Sequence, residues 1–111
     1  MARRAEAVLC EKIMRKLRKI PDSFWERVEQ QAVRGTADIV GCLGGVFYWI
    51  EVKTKFSEKL DKREKLQQYK AGQVLEAGGA VLLLDSGNWK FHCNRLKKKT
   101  QKDFPVRLMQ S

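Results

Sequence analysis

Asp38 and Glu51 stand thirteen positions apart in two apolar, strand-like runs, and Lys53 follows Glu51 by two. Charged side chains are uncommon in such runs unless something pairs with them. Alternation along a strand puts Glu51 and Lys53 on one side of a sheet, roughly 6.5–7 Å apart. If the two runs are adjacent strands of one hairpin, Asp38 comes alongside both. Two acidic oxygen ligands and an ammonium would then converge on a small volume, which suits a hard divalent cation such as Mg²⁺ and a phosphate bound to it.

The elements that must position these groups follow from spacing and composition. Arg4 to Lys19 is rich in helix formers, with Leu9, Ile13, Leu17 and Ile20 making a narrow apolar face that Pro21 ends. Phe24 to Val28 reads as a short strand, and the polar stretch after it, up to Gly35, as a turn or loop. Thr36 to Leu43 and Val46 to Thr54 are β-rich runs separated by Gly44-Gly45, a short-loop hairpin signal. The second carries Val46, Tyr48, Ile50 and Val52 on one side and Phe47 and Trp49 on the other, the pattern of a strand buried between layers. Asp61 with Glu64 resembles a capping box opening a helix that runs to about Ala77, where Gly78-Gly79 ends it. Ala80 to Leu84 is wholly apolar and reads as a central strand, turned by Asp85-Ser86-Gly87-Asn88 into a partner strand from Trp89 to Cys93. Strand, helix, strand from Val46 to Leu84 implies a parallel crossover, hence a mixed sheet. From Asn94 onward the sequence reads as a basic tail that includes Lys97-Lys98-Lys99.

Composition narrows the chemistry. With 111 residues the chain is expected to form a single small α/β domain, residues 1–111, of modest core. Lys plus Arg number 23 against 13 Asp plus Glu, and the net charge of +10 points to a polyanion, nucleic acid first. No run approaches the roughly 20 apolar residues of a spanning helix, and the basic segments lack interfacial aromatic anchors, so a membrane is not expected as partner. The N-terminus carries no apolar run of signal-peptide length, so a cytoplasmic location is expected. Cys10, Cys42 and Cys93 show no C-x-x-C spacing and are expected to be reduced and half-buried. His92 is the single histidine, which argues against zinc and multi-histidine hydrolases and leaves catalysis to carboxylates and lysine.

The order of Glu6, Gly35-Thr36-Ala37-Asp38, Glu51-Val52-Lys53-Thr54, Gln67 and Ala77-Gly78-Gly79 resembles the PD-(D/E)XK nuclease superfamily, and within it the VRR-NUC group, the virus-type replication and repair nucleases. The resemblance spans Glu6 to about Leu84. Members begin with a glutamate-bearing helix and follow with a Gly-x-Pro-Asp strand, a Glu-Val-Lys strand and a glutamine-bearing helix ending in Ala-Gly-Gly. Ala37 departs from the family's proline, a change expected to affect loop stiffness rather than ligands. Glu6 is preferred to Glu11 as the helical glutamate because it lies in line with Leu9, Ile13 and Leu17, although a first-turn acid offsetting the helix dipole would look the same. Gln67 leads a face continued by Ala71, Val74, Leu75 and Gly78, which aims it at the protein body.

The resemblance implies a PD-(D/E)XK-like mixed sheet flanked by helices and a Mg²⁺- or Mn²⁺-dependent endodeoxyribonuclease. Asp38 and Glu51 would ligate the ion, with the Val52 carbonyl and Glu6, directly or through water, as further ligands. Lys53 would orient or activate the attacking water and Gln67 would help to position it. Lys55, Lys70, Lys97, Lys98 and Lys99 are candidates for phosphate contacts, while Trp25, Trp49 and Trp89 are read as core. Stand-alone phage or bacterial members look like homodimers acting on branched DNA, including four-way (Holliday) junctions, and the same is expected here. A non-catalytic nucleic-acid-binding module, an RNA-binding or protein-interaction domain with a structural ion pair, and a restriction-type endonuclease are the alternatives.

Overall fold

A computed structural model of the chain describes residues 2–28, 35–55 and 62–99. Leu9, Ile13 and Leu17 recur at helical spacing and bury one face of α1 (Ala2–Leu17), with Ile13 and Leu17 fully out of water. The helix closes through a bond from Ile20 N–H to Leu17 O (3.0 Å), and Pro21 prevents its continuation. The chain then forms β1 (Ser23–Arg27), β2 (Ile39–Leu43) and β3 (Val46–Val52). Gly44 (φ 61°) and Gly45 (φ 81°) make the two-residue turn of the β2–β3 hairpin, a geometry with two positive φ angles that glycine adopts at no steric cost.

α2 (Lys62–Glu76) follows, then β4 (Ala80–Leu84) and α3 (Trp89–Lys99). Among the described residues the sheet runs β1-β2-β3-β4, antiparallel up to β3 and parallel between β3 and β4. The mixed sheet is therefore as the strand–helix–strand order implies. α1 and α3 cover one face, where Leu9, Ile13, Leu17, Ile50, Leu84 and Leu96 belong to the larger core. α2 covers the other through Ala71 and Val74, which meet Ala37, Trp49, Val40 and Val81. No helix among the described residues is long and apolar enough to cross a membrane.

Four expectations are corrected. Trp89–Cys93 is helical, not a strand. Asp85 Oδ1 accepts from the N–H groups of Gly87 and Asn88, both at 2.9 Å, and Asn88 Oδ1 accepts from Asp85 N–H (2.8 Å), so the apparent hairpin turn is a helix-starting cap. Trp89, Cys93 and Leu96 then face the core at helical spacing while Phe91 is exposed, and the region read as a basic tail begins inside α3. Among the described residues Ala80–Leu84 is an edge strand rather than a central one, with Leu83 exposed. β3 is buried on both faces only from Tyr48 onward, with Val46 half-buried and Phe47 exposed. The cysteines are not half-buried: Cys10 and Cys93 are buried and Cys42 exposed, all three as free thiols. Burial pushes the Cys10 and Cys93 thiols up to about 11, Asp38 adding to the effect at Cys10. Asp61 lies outside the described residues.

Candidate active site

Asp38 and Lys53 lie just outside the strands that were expected to contain them, one residue before β2 and one after β3, so both stand at the same end of the hairpin. The ladder continues past Ile39: Asp38 N–H donates to Ile50 O (3.0 Å), and Val28 N–H donates to Asp38 O (2.8 Å). The Asp38 carboxylate turns back on β3, where its Oδ2 accepts from Val52 N–H (2.8 Å). That bond fixes Asp38 against the residue following Glu51.

Glu51 is 4% exposed, on the face covered by α2. Trp49 precedes it by two on the same side of β3, and its indole Nε1–H donates to Glu51 Oε2 (3.0 Å). Burial raises the Glu51 pKa; the Trp49 bond and Lys53 pull it down, whereas the Asp38 and Glu64 carboxylates push it further up. Asp38, Glu51, Lys53 and Glu64 therefore share one electrostatic neighbourhood. No buried side-chain nitrogen or oxygen among the described residues lacks a partner, so desolvation first and the neighbouring carboxylates second, rather than a missing hydrogen bond, perturb Glu51.

Lys53 Nζ sits 3.3 Å from Glu64 Oε2, with the two side chains 21% and 17% exposed, well below the exposure of a solvated surface pair. Gln67, one turn further along α2, is 2% exposed and donates from Nε2 to Thr36 O (3.1 Å). Its amide nitrogen thus engages the backbone that leads into Asp38, not open solvent. Gly35 (φ 73°) lets the same segment pass close to α2: a Cβ there would lie 2.6 Å from Leu66 Cγ. Ala37, in the place where the resembled family has proline, is buried against Trp49 and Ala71.

The remaining candidates are placed less tightly. Glu6 is half-buried on the core-facing side of α1 and Glu11 is exposed. Glu6 acts electrostatically on Cys10, as Asp38 does, but no hydrogen bond or ion pair joins Glu6 to Asp38, Glu51 or Lys53. Lys55 is exposed, Lys70 half-buried, and Lys97 and Lys98 lie exposed on α3; the Lys99 side chain is outside the described residues. Two contributors escape sequence reading. Glu64 reads as half of a capping box, although its spacing of three from Gln67 already places both on one helix face. Trp49 reads as core because aromatic residues in strands usually are, and its indole N–H gives no separate signal.

Among the described residues no three His, Cys, Asp or Glu side chains form a ready-made metal cage. Mg²⁺ does not require one, since it keeps several waters and is usually held by one or two carboxylates. Asp38 and Glu51 fit that requirement as hard oxygen donors whose mutual repulsion a divalent cation would relieve. Set against family models, curated proteins and solved structures, the chain matches none of them.

Proposed function

We propose that this chain is a metal-dependent endodeoxyribonuclease of the PD-(D/E)XK type, VRR-NUC-like, that hydrolyses phosphodiesters in branched DNA. The observation that carries the reading is the convergence of two mutually repelling carboxylates, Asp38 and Glu51, with the Lys53 ammonium at one end of the β2–β3 hairpin. A structural ion pair would use one acid and one base. Here a second acid sits beside a desolvated one, an arrangement that destabilises the empty site and favours a bound cation.

A Mg²⁺ or Mn²⁺ ion held by Asp38 and Glu51, with the Val52 carbonyl and Glu6 as additional or water-mediated ligands, would polarise the phosphate and lower the pKa of attacking water. Trp49 orients the Glu51 carboxylate, and the Val52 N–H orients that of Asp38. Lys53 offsets charge developing on the phosphate and orients the attacking water, while Glu64 keeps the ammonium from swinging into solvent. Gln67 donates to the Thr36 backbone, holding the approach to Asp38, and would help to position the attacking water. A two-fold homodimer would present two such sites to equivalent strands of a four-way junction, and a cytoplasmic enzyme would meet that substrate directly.

The test compares wild type with Lys53→Ala on labelled linear, flap and four-way DNA in Mg²⁺, Mn²⁺ or EDTA. Paired, metal-dependent nicks on the junction, lost in the variant, are expected. DNA binding without cleavage in either metal would leave the chain a binding module and overturn the nuclease reading.

A further inference from the structure

We infer that the groove between α1 and α3 is a track for a nucleic-acid backbone, leading away from the β2–β3 end of the sheet. Lys12, Arg15 and Lys16 recur at steps of three and four along α1, and Lys19, just past its end, lines the same groove. Lys90 and Lys97, seven apart, line the facing side of α3. These six cations surround a cavity of about 780 Å³ floored by Leu9, Ile20, Trp89 and Cys93, and no carboxylate lines it. Among the described residues no ion pair neutralises Lys12, Arg15, Lys16, Lys19 or Lys90. The ammonium groups of Lys16 and Lys90 stand 5.9 and 5.7 Å from the centre of the Trp89 ring, so the indole attracts two charges into the groove and partly offsets their mutual repulsion.

A second cavity, lined by Arg4, Val8 and Thr54 and sharing Leu9, Lys12 and Ser86 with the first, extends the groove on the α1 face to the residue that follows Lys53. Thr54 is the neighbour of Lys53, and Ser86 is tied to it by a bond from Ser86 Oγ to Thr54 O (2.9 Å). The helical part of the cationic stripe, Lys12 to Lys16, is about 6 Å long, given the rise of a helix, and Lys19 continues it beyond the helix end. Lys12, Lys16 and Lys19 thus offer one ammonium each to successive backbone phosphates. Lys12, Arg15, Lys16, Lys19 and Lys90, gathered in a groove that no carboxylate lines, cost stability in the absence of a counter-charge, and a polyphosphate backbone supplies one along its length.

The inference takes DNA as occupant from the proposed nuclease function, and its test separates the two. Binding of labelled duplex and four-way DNA is measured in EDTA over a range of salt, for wild type, for Lys12→Gln/Lys16→Gln/Lys19→Gln, and for Arg18→Gln/Lys65→Gln/Arg95→Gln, which removes three charges outside the groove. With a slope of about −0.9 per phosphate contact, the groove triple should be shallower by about 2.7 in its log–log salt dependence and about 100-fold weaker near 0.15 M salt. The off-groove triple should change far less. Circular dichroism confirms that the variants are folded, and DNA should alter wild-type tryptophan emission through Trp89, an effect lost in Trp89→Phe. Equal losses in the two triples, or an unchanged slope in the groove triple, would overturn the track. Stronger groove-dependent binding to phosphatidylserine vesicles than to DNA would overturn the occupant. Cleavage in Mg²⁺ with no groove dependence defeats the track alone, whereas groove-dependent binding with no cleavage defeats the nuclease reading alone.

Discussion

Glu51 is a buried carboxylate whose pKa is raised first by desolvation and then by Asp38 and Glu64. The folded state therefore holds the Glu51 proton more tightly than the unfolded chain does. Its contribution to stability is fully present below the ordinary value of 4.5 and is lost as the pH climbs through the raised folded pKa. In EDTA, Glu51→Gln should consequently melt above wild type at neutral pH, with the difference in Tm shrinking as the pH falls toward 4.5; a variant melting below wild type at every pH would contradict this. Activity moves the other way, because Glu51→Gln and Asp38→Asn each remove a proposed metal ligand and should lower turnover by at least about 10³-fold, a loss of about 4 kcal/mol of transition-state stabilisation. Both should keep DNA binding or strengthen it, since a negative charge has gone. Trp49→Phe removes the hydrogen bond that partly offsets burial. It should cost about 1–3 kcal/mol of stability and displace the acid limb of the pH–rate profile to higher pH, measured by cleavage across a pH series.

At the scale of elements, the site depends on α2 being pinned to the segment before β2. Gly35→Ala would drive a Cβ into Leu66 at a positive φ and should destabilise the fold by about 1–3 kcal/mol. Gln67→Ala leaves the Thr36 carbonyl without that partner, and a comparable loss is expected in denaturant unfolding. In both variants kcat should fall more than KM changes, because Asp38 is displaced relative to Glu51 while the binding surfaces remain. The hairpin was legible because Gly44-Gly45 and β-branched flanks specify one register, and α1 because its apolar stripe ends at a proline. α3 was misread because Trp89, Phe91 and Cys93 satisfy strand alternation as well as Trp89, Cys93 and Leu96 satisfy a helix. Only the paired Asp85 and Asn88 bonds decide between the two, and a side chain that turns a hairpin can equally cap a helix. The pairing of Asp38 with Glu51 could be anticipated from spacing, whereas the Glu64 contact to Lys53 required knowing how α2 crosses the sheet.

For the whole molecule, a net charge of +10 is distributed so that six cations line one groove while the acids Asp38, Glu51 and Glu64 gather at the end of the hairpin. Affinity for DNA should fall steeply with salt, and the cleavage rate at saturating DNA should fall much less, because counterion release governs binding rather than hydrolysis. Separate titrations of binding and single-turnover cleavage against salt check that division. The central claim is that Asp38 and Glu51 hold one hard cation between them, and luminescence from bound Tb³⁺, a hard oxygen-seeking ion, reads it directly. The Trp49 indole is hydrogen-bonded to Glu51, so exciting tryptophan should sensitise Tb³⁺ emission that excess Mg²⁺ displaces and that both Asp38→Asn and Glu51→Gln abolish. Emission of undiminished strength in the two variants, or none from the wild type, would contradict the metal site and the nuclease proposed from it.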